Sequence, residues 1–282
     1  MGKGIETALV QIAAEKLGID VKDVTNADLD TTSSPYNVGS FSSGQAFLAG
    51  NAVAFACEDV IQKIRVELAK FYHIAEDQVQ YRDKKFQIVQ RGRFLDFKEA
   101  IKVISNRCRG TFIMGSAVAN LVDAPPPFCL CWAKAAFNKN ENSVKITHII
   151  ESVDVGRVIN PLIVKGQLEG AIQMGVGFAL MEDLEVDRIT KKVVAADLLN
   201  YRNPLILDMP EIHLFVAETY EPFSATGAKS VGELGIIPVA AAICDAVSNA
   251  CGKEIIEFPL SRQFFIKNNR CDDFFEGGIE KC

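Results

Sequence analysis

The sequence has 282 residues, of which 49% are hydrophobic and 23% charged, so it can bury a sizeable core as one large domain or two small ones. Its net charge of -6 and its scattered lysine and arginine residues argue against a nucleic-acid partner. We find no run of about 18 uninterrupted apolar residues and no signal-peptide pattern, so we expect a cytoplasmic protein without a membrane partner.

The first part of the sequence predicts three helices, a long loop and a short strand. Apolar residues recur at helical spacing up to Leu17, and Gly18 is a typical C-terminal cap. Asp96 and Glu99 have the spacing of a capping box, which predicts the start of the third helix. The predicted elements are a helix over 7–17, a loop over 32–50, a helix over 51–71, a strand over 86–89 and a helix ending near 104.

The second part predicts a hairpin, a third strand and two helices. Polar residues 138–142 separate two runs of strand-forming residues, and Asn160 with Pro161 is typical of an N-cap and a first helical turn. The predicted elements are strands over 128–137, 143–150 and 212–216, a helix from 160 to about 181 and a helix from Pro238. Because strands and helices mix without regular alternation, we expect an α+β fold with helices layered on mixed sheets.

The domain organisation follows from composition and from one internal similarity. We expect a main domain over 1–262 and a polar C-terminal tail over 263–282. The Ala-rich segments 54–60 and 241–247 resemble each other. They indicate either a duplication with two related subdomains or two buried helices of independent origin.

The cysteines and histidines predict no metal site. Eight cysteines without a secretory signal indicate reduced thiols rather than a disulfide framework. Cys129 and Cys131 share one face of a predicted strand but have no second cysteine pair or histidine nearby, and Cys271 and Cys282 are expected as exposed thiols of the tail. The dispersed histidines are expected to have structural roles: His73, His148 and His213.

One acidic residue is placed for chemistry. Glu233 lies in a glycine-bracketed run from Gly227 to Gly235, just before the apolar helix that starts at Pro238. Glycine lets the backbone approach a ligand closely, and a helix start tolerates negative charge and can tune a pKa. Glu233 is therefore our candidate for a catalytic base.

Three glycine-containing segments could bind a ligand. The helix over 166–177 holds four glycines, each of which costs about 1 kcal/mol relative to alanine, so either a flat ligand meets Gln167 there or the helix packs tightly against a neighbour. The loop over 39–45 offers hydroxyl and N–H groups to a polar or anionic ligand, or is an ordinary Ser/Gly turn. The segment over 2–4 is likewise an anion cradle or a flexible end.

Together these segments resemble the C-terminal half of the molybdopterin-binding domain of the xanthine dehydrogenase and aldehyde oxidase family. The resemblance covers about residues 1–260. Its motifs lie at 2–7 with 11–13, 35–50, 154–157 with 159–161, 166–182, 221–223 and 227–239. The glycine-rich helix and the Gly-Ala-Lys-x-Val-Gly-Glu run are specific signatures, because both occur in order about 60 residues apart.

The resemblance implies a molybdenum hydroxylase that oxidises a purine-like heterocycle or an aldehyde. Its molybdenum-pterin cofactor, molybdopterin or the cytosine dinucleotide form, would present a hydroxide that attacks the substrate carbon while hydride passes to a sulfido ligand, with Glu233 as the general base. Gln167 would hydrogen-bond the pterin, and no protein ligand to the metal is implied. The remaining implied cofactor contacts are Lys3, Gly4, Ser43, Gly44, Gln45, Lys229, Ser230 and Gly232.

Three of these positions depart from the family pattern. Lys3 stands where the family usually has glutamine, and an ammonium cannot accept the hydrogen bonds that an amide accepts. Gly44 stands where many relatives have arginine, so a charged contact is replaced there. Ser230 stands where glycine is frequent.

The resemblance also implies partners. Members of the family place a substrate-binding segment before the Gly-x-Gly helix, whereas Met1 directly precedes Gly2 here. The sequence contains no iron–sulfur cysteine set and no flavin module, so we expect iron–sulfur clusters and FAD on partner chains, together with the N-terminal half of the molybdopterin subunit. We expect a split subunit, a truncated form or a remnant, poorly soluble alone. A decayed, non-catalytic interaction module of the same fold is the alternative function.

Overall fold

The computed structural model shows two compact units. It describes residues 2–27, 30, 32, 34, 36–37, 39–107, 112–119, 125–138, 141, 143–252, 254–255, 257–260 and 265. The first unit is drawn from 1–126, 156–160 and 219–230, and the second from 127–155, 161–218 and 231–282. The predicted tail over 263–282, with Cys271 and Cys282, lies outside the described residues apart from Phe265, which is buried in the core of the second unit.

In the first unit, helices accompany a three-stranded antiparallel sheet. Its elements are α1 (Ile5–Leu17), α2 (Gln45–Tyr72), β1 (Val79–Arg82), β2 (Lys85–Ile88), β3 (Arg93–Leu95) and α3 (Phe97–Arg107). The strand order is β1-β2-β3, and both pairs are antiparallel. Apolar side chains of α2, α3 and the strands form the core, including Ile64, Leu68, Val79, Phe86, Leu95 and Ile104.

The structure confirms the caps that were predicted in this unit. Gly18 has a left-handed φ of 63° and closes α1 through its N–H group. Asp96 and Glu99 exchange the two hydrogen bonds of a capping box, at 2.8 and 2.9 Å. These local signals depend only on neighbouring residues, which is why they can be recognised from sequence.

The predicted loop over 32–50 was wrong at its C-terminal end. The helix α2 already begins at Gln45, and residues 33, 35 and 38 of the predicted loop lie outside the described residues. Gly50 resembles a loop residue in sequence, yet it is buried inside α2, where an added Cβ would lie 3.2 Å from Ile12 Cδ1. Packing against α1 therefore explains a glycine that suggested a loop.

In the second unit, two helices pack on one face of a mixed sheet. Its elements are β4 (Phe128–Asn138), β5 (Ser143–Asp154), α4 (Pro161–Leu180), β6 (Glu211–Ala217) and α5 (Val239–Cys251). The strand order is β4-β5-β6, with β4 antiparallel and β6 parallel to β5. The core includes Ile149, Ile172, Val239, Ile243 and Val247.

The elements of the second unit match the predicted α+β fold. The hairpin, the third strand and the helix starts at Pro161 and Pro238 are confirmed, while residues 139, 140 and 142 of the predicted turn lie outside the described residues. The similar segments 54–60 and 241–247 lie in α2 and α5. Their sheets differ in topology, so the proposed duplication gains no support from strand order and stays a prediction.

The described cysteines are free thiols, and two of the histidines stack on each other. Five cysteines are free thiols: Cys57, Cys129, Cys131, Cys244 and Cys251. Burial raises the pKa of the Cys131 thiol to about 12 and also raises that of Cys129, so both remain protonated at neutral pH. The rings of His148 and His213 stack at 6.3 Å on neighbouring strands. Within the described part of the chain, no group of three or more His, Cys, Asp or Glu residues could hold a metal ion.

One apolar stretch has the length and composition of a membrane span, namely Leu234–Cys251. Its residues Val239, Ile243 and Val247 are wholly buried in the core of the second unit. A core helix passes the same test of length and composition, so this stretch is weak evidence for a membrane span.

Candidate functional site

Two helix starts lie together in the first unit. Gly50 of α2 contacts Ile12 of α1, and four residues further along α1 the ammonium of Lys16 lies 3.8 Å from the carboxylate of Glu58 in α2. The second contact lies closer to the C-terminus than the first in both helices, so α1 and α2 run parallel. Their first turns therefore lie at the same end of the helix pair, and this end carries five predicted cofactor contacts: Lys3, Gly4, Ser43, Gly44 and Gln45.

This end of the helix pair suits an anionic group. Gly4 and Gly44 are the residues before α1 and α2, and neither provides a side chain to cap the helix. The first N–H groups of a helix have no partner within it, and the helix dipole adds partial positive charge there. Lys3 contributes a further positive charge, so the arrangement fits a phosphate or a similar anion.

The predicted contacts Lys229 and Ser230 follow a loop that a buried asparagine holds in place. Asn51 of α2 is completely buried, and its Nδ2 donates to the carbonyl oxygen of Phe47 at 2.7 Å. Its Oδ1 accepts from the backbone N–H of Ala225 at 2.6 Å. A side-chain amide is suited to this position because it donates and accepts at once.

Two glycines of the resemblance motifs meet beside this loop. Gly227 has a φ of 77°, and its carbonyl oxygen accepts from the N–H groups of Arg157 at 2.7 Å and Glu221 at 3.1 Å. Gly156 has a φ of 66°, and an added Cβ would lie 2.5 Å from the same carbonyl oxygen. The close approach of the two backbones explains the glycine at 156, and at 227 an added Cβ would lie 2.7 Å from the ring of Tyr220.

Replacing the buried Asn51 with alanine should lower the free energy of unfolding by about 1–3 kcal/mol, because the partly buried N–H of Ala225 loses its acceptor. Chemical denaturation measures the loss, and hydrogen exchange of the Ala225 amide locates it. As a control, Asn37→Ala removes an amide from an exposed turn and should change stability by less than about 0.5 kcal/mol. Equal effects of the two substitutions would contradict the assigned role of Asn51.

In the second unit, the turn that bears Glu233 packs on the helix that bears Gln167. Glu233 precedes a short 3₁₀ helix, Leu234–Ile236, and its side chain is exposed. An added Cβ on Gly235 would lie 3.1 Å from atoms of Leu168 and Ala171, and Leu168 directly follows Gln167. The structure thus brings Glu233, Gly232 and the half-buried Gln167 to adjoining segments of backbone.

The four glycines of α4 divide into two pairs. An added Cβ at Gly166 or Gly170 would meet no atom within 4 Å. At Gly175 it would lie 2.6 Å from the Cβ of Val239, and at Gly177 it would collide with the carboxylate of Glu182. Both sequence-based alternatives are therefore present in one helix: tight packing in its second half, and open space for a flat ligand on the turns beside Gln167.

A buried carboxyl group under the Glu233 turn was not predicted. Glu151 of β5 is completely buried, and its Oε1 accepts from the Cys129 thiol at 2.9 Å and lies 3.1 Å from the Cβ position of Gly235. Its Oε2 has no hydrogen-bond partner, and burial raises the pKa of this carboxyl. The sequence does contain one sign of this buried carboxyl group. Glu151 alternates with the apolar Ile149 and Val153, which places it on the inward-facing side of the strand.

Comparison with known proteins identifies the family. Residues 1–210 match the model of the molybdopterin cofactor-binding domain. The chain is 31% identical over 265 residues to the xanthine dehydrogenase molybdenum-binding subunit of Escherichia coli O157:H7, with 93% of this chain and 35% of the relative covered. It is 29% identical over 262 residues to the aldehyde oxidoreductase molybdenum-binding subunit PaoC of Escherichia coli K12, with the same coverage.

Solved structures share the fold. Quinoline 2-oxidoreductase from Pseudomonas putida 86 superposes with a TM-score of 0.82 at 25% identity, covering 94% of this chain and 35% of that one. The Cu,Mo-CO dehydrogenase superposes with a TM-score of 0.83 at 24% identity, covering 94% and 34%. The chain spans about a third of the length of these relatives.

These matches confirm the predicted α+β fold and the molybdenum-pterin class of cofactor. Within the second unit, the open turns beside Gln167 are compatible with a flat ligand. Within the first unit, the paired helix starts are compatible with an anionic group. The chain belongs to the molybdopterin cofactor-binding domain family, whose relatives here are molybdenum-binding subunits of xanthine dehydrogenases and aldehyde oxidoreductases.

Proposed function

We propose that this chain is part of the catalytic subunit of a molybdenum hydroxylase that oxidises a heterocycle or an aldehyde. The observation that carries the proposal is the packing of the Glu233 turn on α4 beside Gln167, where Gly166 and Gly170 face open space. When bound, the molybdenum-pterin cofactor supplies oxygen transfer to the substrate and accepts the electron pair. The residues of this chain bind and orient the cofactor, and one of them accepts a proton.

Binding and orientation fall to polar groups in each unit. In the second unit, the Gln167 amide can donate and accept hydrogen bonds along the edge of a pterin, and the absence of a Cβ at Gly166 and Gly170 allows a ring to approach the helix. In the first unit, the starts of α1 and α2 together with Lys3 suit an anionic part of a cofactor.

Glu233 is proposed to accept the proton released by the attacking oxygen. Its carboxylate is exposed, so it can reach a bound ligand. The segment behind it is held by Leu234 and Gly235, which are both buried. A general base needs both features, because it must be within hydrogen-bond reach of the proton and must keep its position during the reaction.

The test is Glu233→Gln in the chain assembled with the polypeptide that matches the rest of its relatives. We expect turnover to fall by about 10²–10⁴-fold, because an amide cannot act as the base, while molybdenum and pterin contents stay unchanged. Metal analysis and pterin fluorescence measure the contents. The matched control is Glu218→Gln, which changes another exposed glutamate of the same unit and should leave turnover intact. Normal turnover in the Glu233 variant would remove Glu233 as the base.

We further propose that the partners are the rest of the molybdenum-binding subunit and separate iron–sulfur and FAD-containing chains. The chain spans only about a third of its relatives, and the outer face of the β4-β5-β6 sheet exposes large apolar side chains. These side chains are Phe128, Leu130, Trp132, Ile150 and Phe215. Apolar patches of this kind are typical of protein interfaces. If every assembled form lacks pterin, the non-catalytic interaction module is favoured instead.

A further inference from the structure

Residues 183–208 of the second unit form an exposed apolar segment, here called the arm. It leaves the C-terminal end of α4 and returns to the chain just before β6. Nearly all of its residues are exposed, although many are apolar. The most exposed aliphatic side chains are Ile189 at 90%, Leu198 at 89%, Leu199 at 90%, Ile206 at 87% and Leu207 at 91%.

Contacts with α4 and with Glu182, two residues beyond its end, anchor the arm. The hydroxyl of Tyr201 donates to the carboxylate of Glu182 at 2.8 Å. The amide of Gln173 donates to the carbonyl oxygen of Pro204 at 3.0 Å, and Pro204 is buried close to Gly177. The arm therefore has a defined position on its own unit, while its apolar side chains point away from the core.

Three aspartates fix the turns that display these side chains. Asp187 accepts from the N–H of Ile189 at 3.0 Å, and Asp197 accepts from the N–H of Leu199 at 3.0 Å. Asp208 accepts from the N–H of Leu205 at 2.8 Å, which closes the turn that contains Ile206 and Leu207. Local hydrogen bonds of this type order a loop without a core. The apolar residues are thus held ready before any partner binds, which reduces the entropy lost on docking.

The charges near the tip of the arm indicate what kind of surface it meets. Ile189 is flanked by three exposed cationic residues: Arg188, Lys191 and Lys192. A surface that accommodates this tip combines an apolar pocket with an acidic rim. A second copy of the chain would bring two like-charged tips together if they met across a two-fold axis.

We infer that the arm docks onto the polypeptide that makes up the remaining two thirds of the molybdenum-binding subunit, in an apolar groove with an acidic rim. This inference rests on the proposed function, because the partner belongs to the same subunit. The arm lies within residues 1–210, which match the family model. The chain as a whole spans only about a third of the length of its relatives. The arm is thus part of the family's domain and has its apolar side chains available for the rest of the subunit.

The experiment expresses the chain together with the polypeptide that matches the remainder of its relatives and measures the dissociation constant of the complex. Two double variants, Leu198→Ser/Leu199→Ser and Ile206→Ser/Leu207→Ser, should each weaken binding by at least about 30-fold, as expected for interface hot spots. The matched control is Leu162→Ser, which removes an equally large, exposed leucine of α4 outside the arm and should change binding less than about 3-fold. Lys191→Glu/Lys192→Glu should weaken binding more at low salt than at high salt.

Two further measurements make the result decisive. Hydrogen exchange of α5 amides should be the same in all variants, because the substituted side chains are exposed and do not support the core. Wild-type affinity in both double variants would overturn the inference. So would a wild-type homodimer that the same substitutions disrupt and that binds no other polypeptide. A complex that depends on the arm but contains no molybdenum or pterin would support the docking surface and contradict the proposed function.

Discussion

Gly175→Ala should lower the free energy of unfolding by about 1–3 kcal/mol, although alanine is normally the better helix residue by about 1 kcal/mol. The reason is Val239, whose Cβ lies 2.6 Å from the position of the new methyl group. Val239 is completely buried and β-branched, so it cannot rotate away. Chemical denaturation and hydrogen exchange of α4 amides measure the effect.

Gly170→Ala in the same helix is the matched control and should have the opposite sign. A methyl group there meets no atom within 4 Å, so helix propensity alone should raise the free energy of unfolding by up to about 1 kcal/mol. In the assembled subunit the same substitution should reduce cofactor content, since the open space is proposed to receive the pterin. Stabilisation by both substitutions would contradict the packing described for Gly175.

A double substitution tests the contact itself. Val239→Gly removes the Cβ and both methyl groups that oppose Gly175, so the Gly175→Ala/Val239→Gly variant should be more stable than the sum of the single effects predicts. We expect a coupling of about 0.5–3 kcal/mol, as for other residues in direct contact. Strict additivity would show that the cost of Gly175→Ala arises elsewhere.

Glu151→Gln should make the stability of the second unit less dependent on pH. Burial raises the pKa of the Glu151 carboxyl in the folded protein above its value in the unfolded chain. The folded state therefore binds the proton more tightly, and stability falls as the pH rises above the unfolded pKa until the folded pKa is passed. The amide carries no titrating proton, so the falling limb above that unfolded pKa should disappear from the curve of unfolding free energy against pH.

The size of this effect follows from the unpaired oxygen. At pH 8, replacing the buried carboxylate, of which one oxygen has no hydrogen-bond partner, with a neutral amide should raise the free energy of unfolding by about 1–3 kcal/mol. Glu141→Gln is the control, because it makes the same exchange at an exposed glutamate and should change the free energy of unfolding at pH 8 by less than about 0.5 kcal/mol. A parallel shift of the whole curve in Glu151→Gln, without a change in its slope, would contradict titration of Glu151.

The sequence predicts features that depend on neighbours along the chain. The Gly18 cap, the Asp96–Glu99 box and the proline starts of α4 and α5 are local arrangements, and the structure contains them. The start of α2 was missed because Gly50 owes its place to a contact with Ile12, which no local pattern reveals. β1 and β3, which have four and three residues, were missed, although β2 is as short as β1 and was predicted.

The sequence predicts those parts of the candidate site that lie in recognisable motifs. Glu233 and Gln167 were named from residue type and spacing, and their roles stay predictions. The division of the four glycines of α4 depends on contacts with Val239 and Glu182, which both lie outside the glycine-rich stretch 166–177. Glu151 required knowledge of the hairpin register and of the loop that covers it.

The two pairs of glycines in α4 are needed for different reasons. Folding alone retains Gly175 and Gly177, because a larger residue at either position collides with neighbouring atoms. Folding does not retain Gly166 and Gly170, where alanine would be favoured in the absence of a ligand. If the proposed cofactor lies against these turns, a chain that no longer bound it would gain helix stability from alanine at 166 and 170, so the proposed site accounts for two glycines that packing does not require.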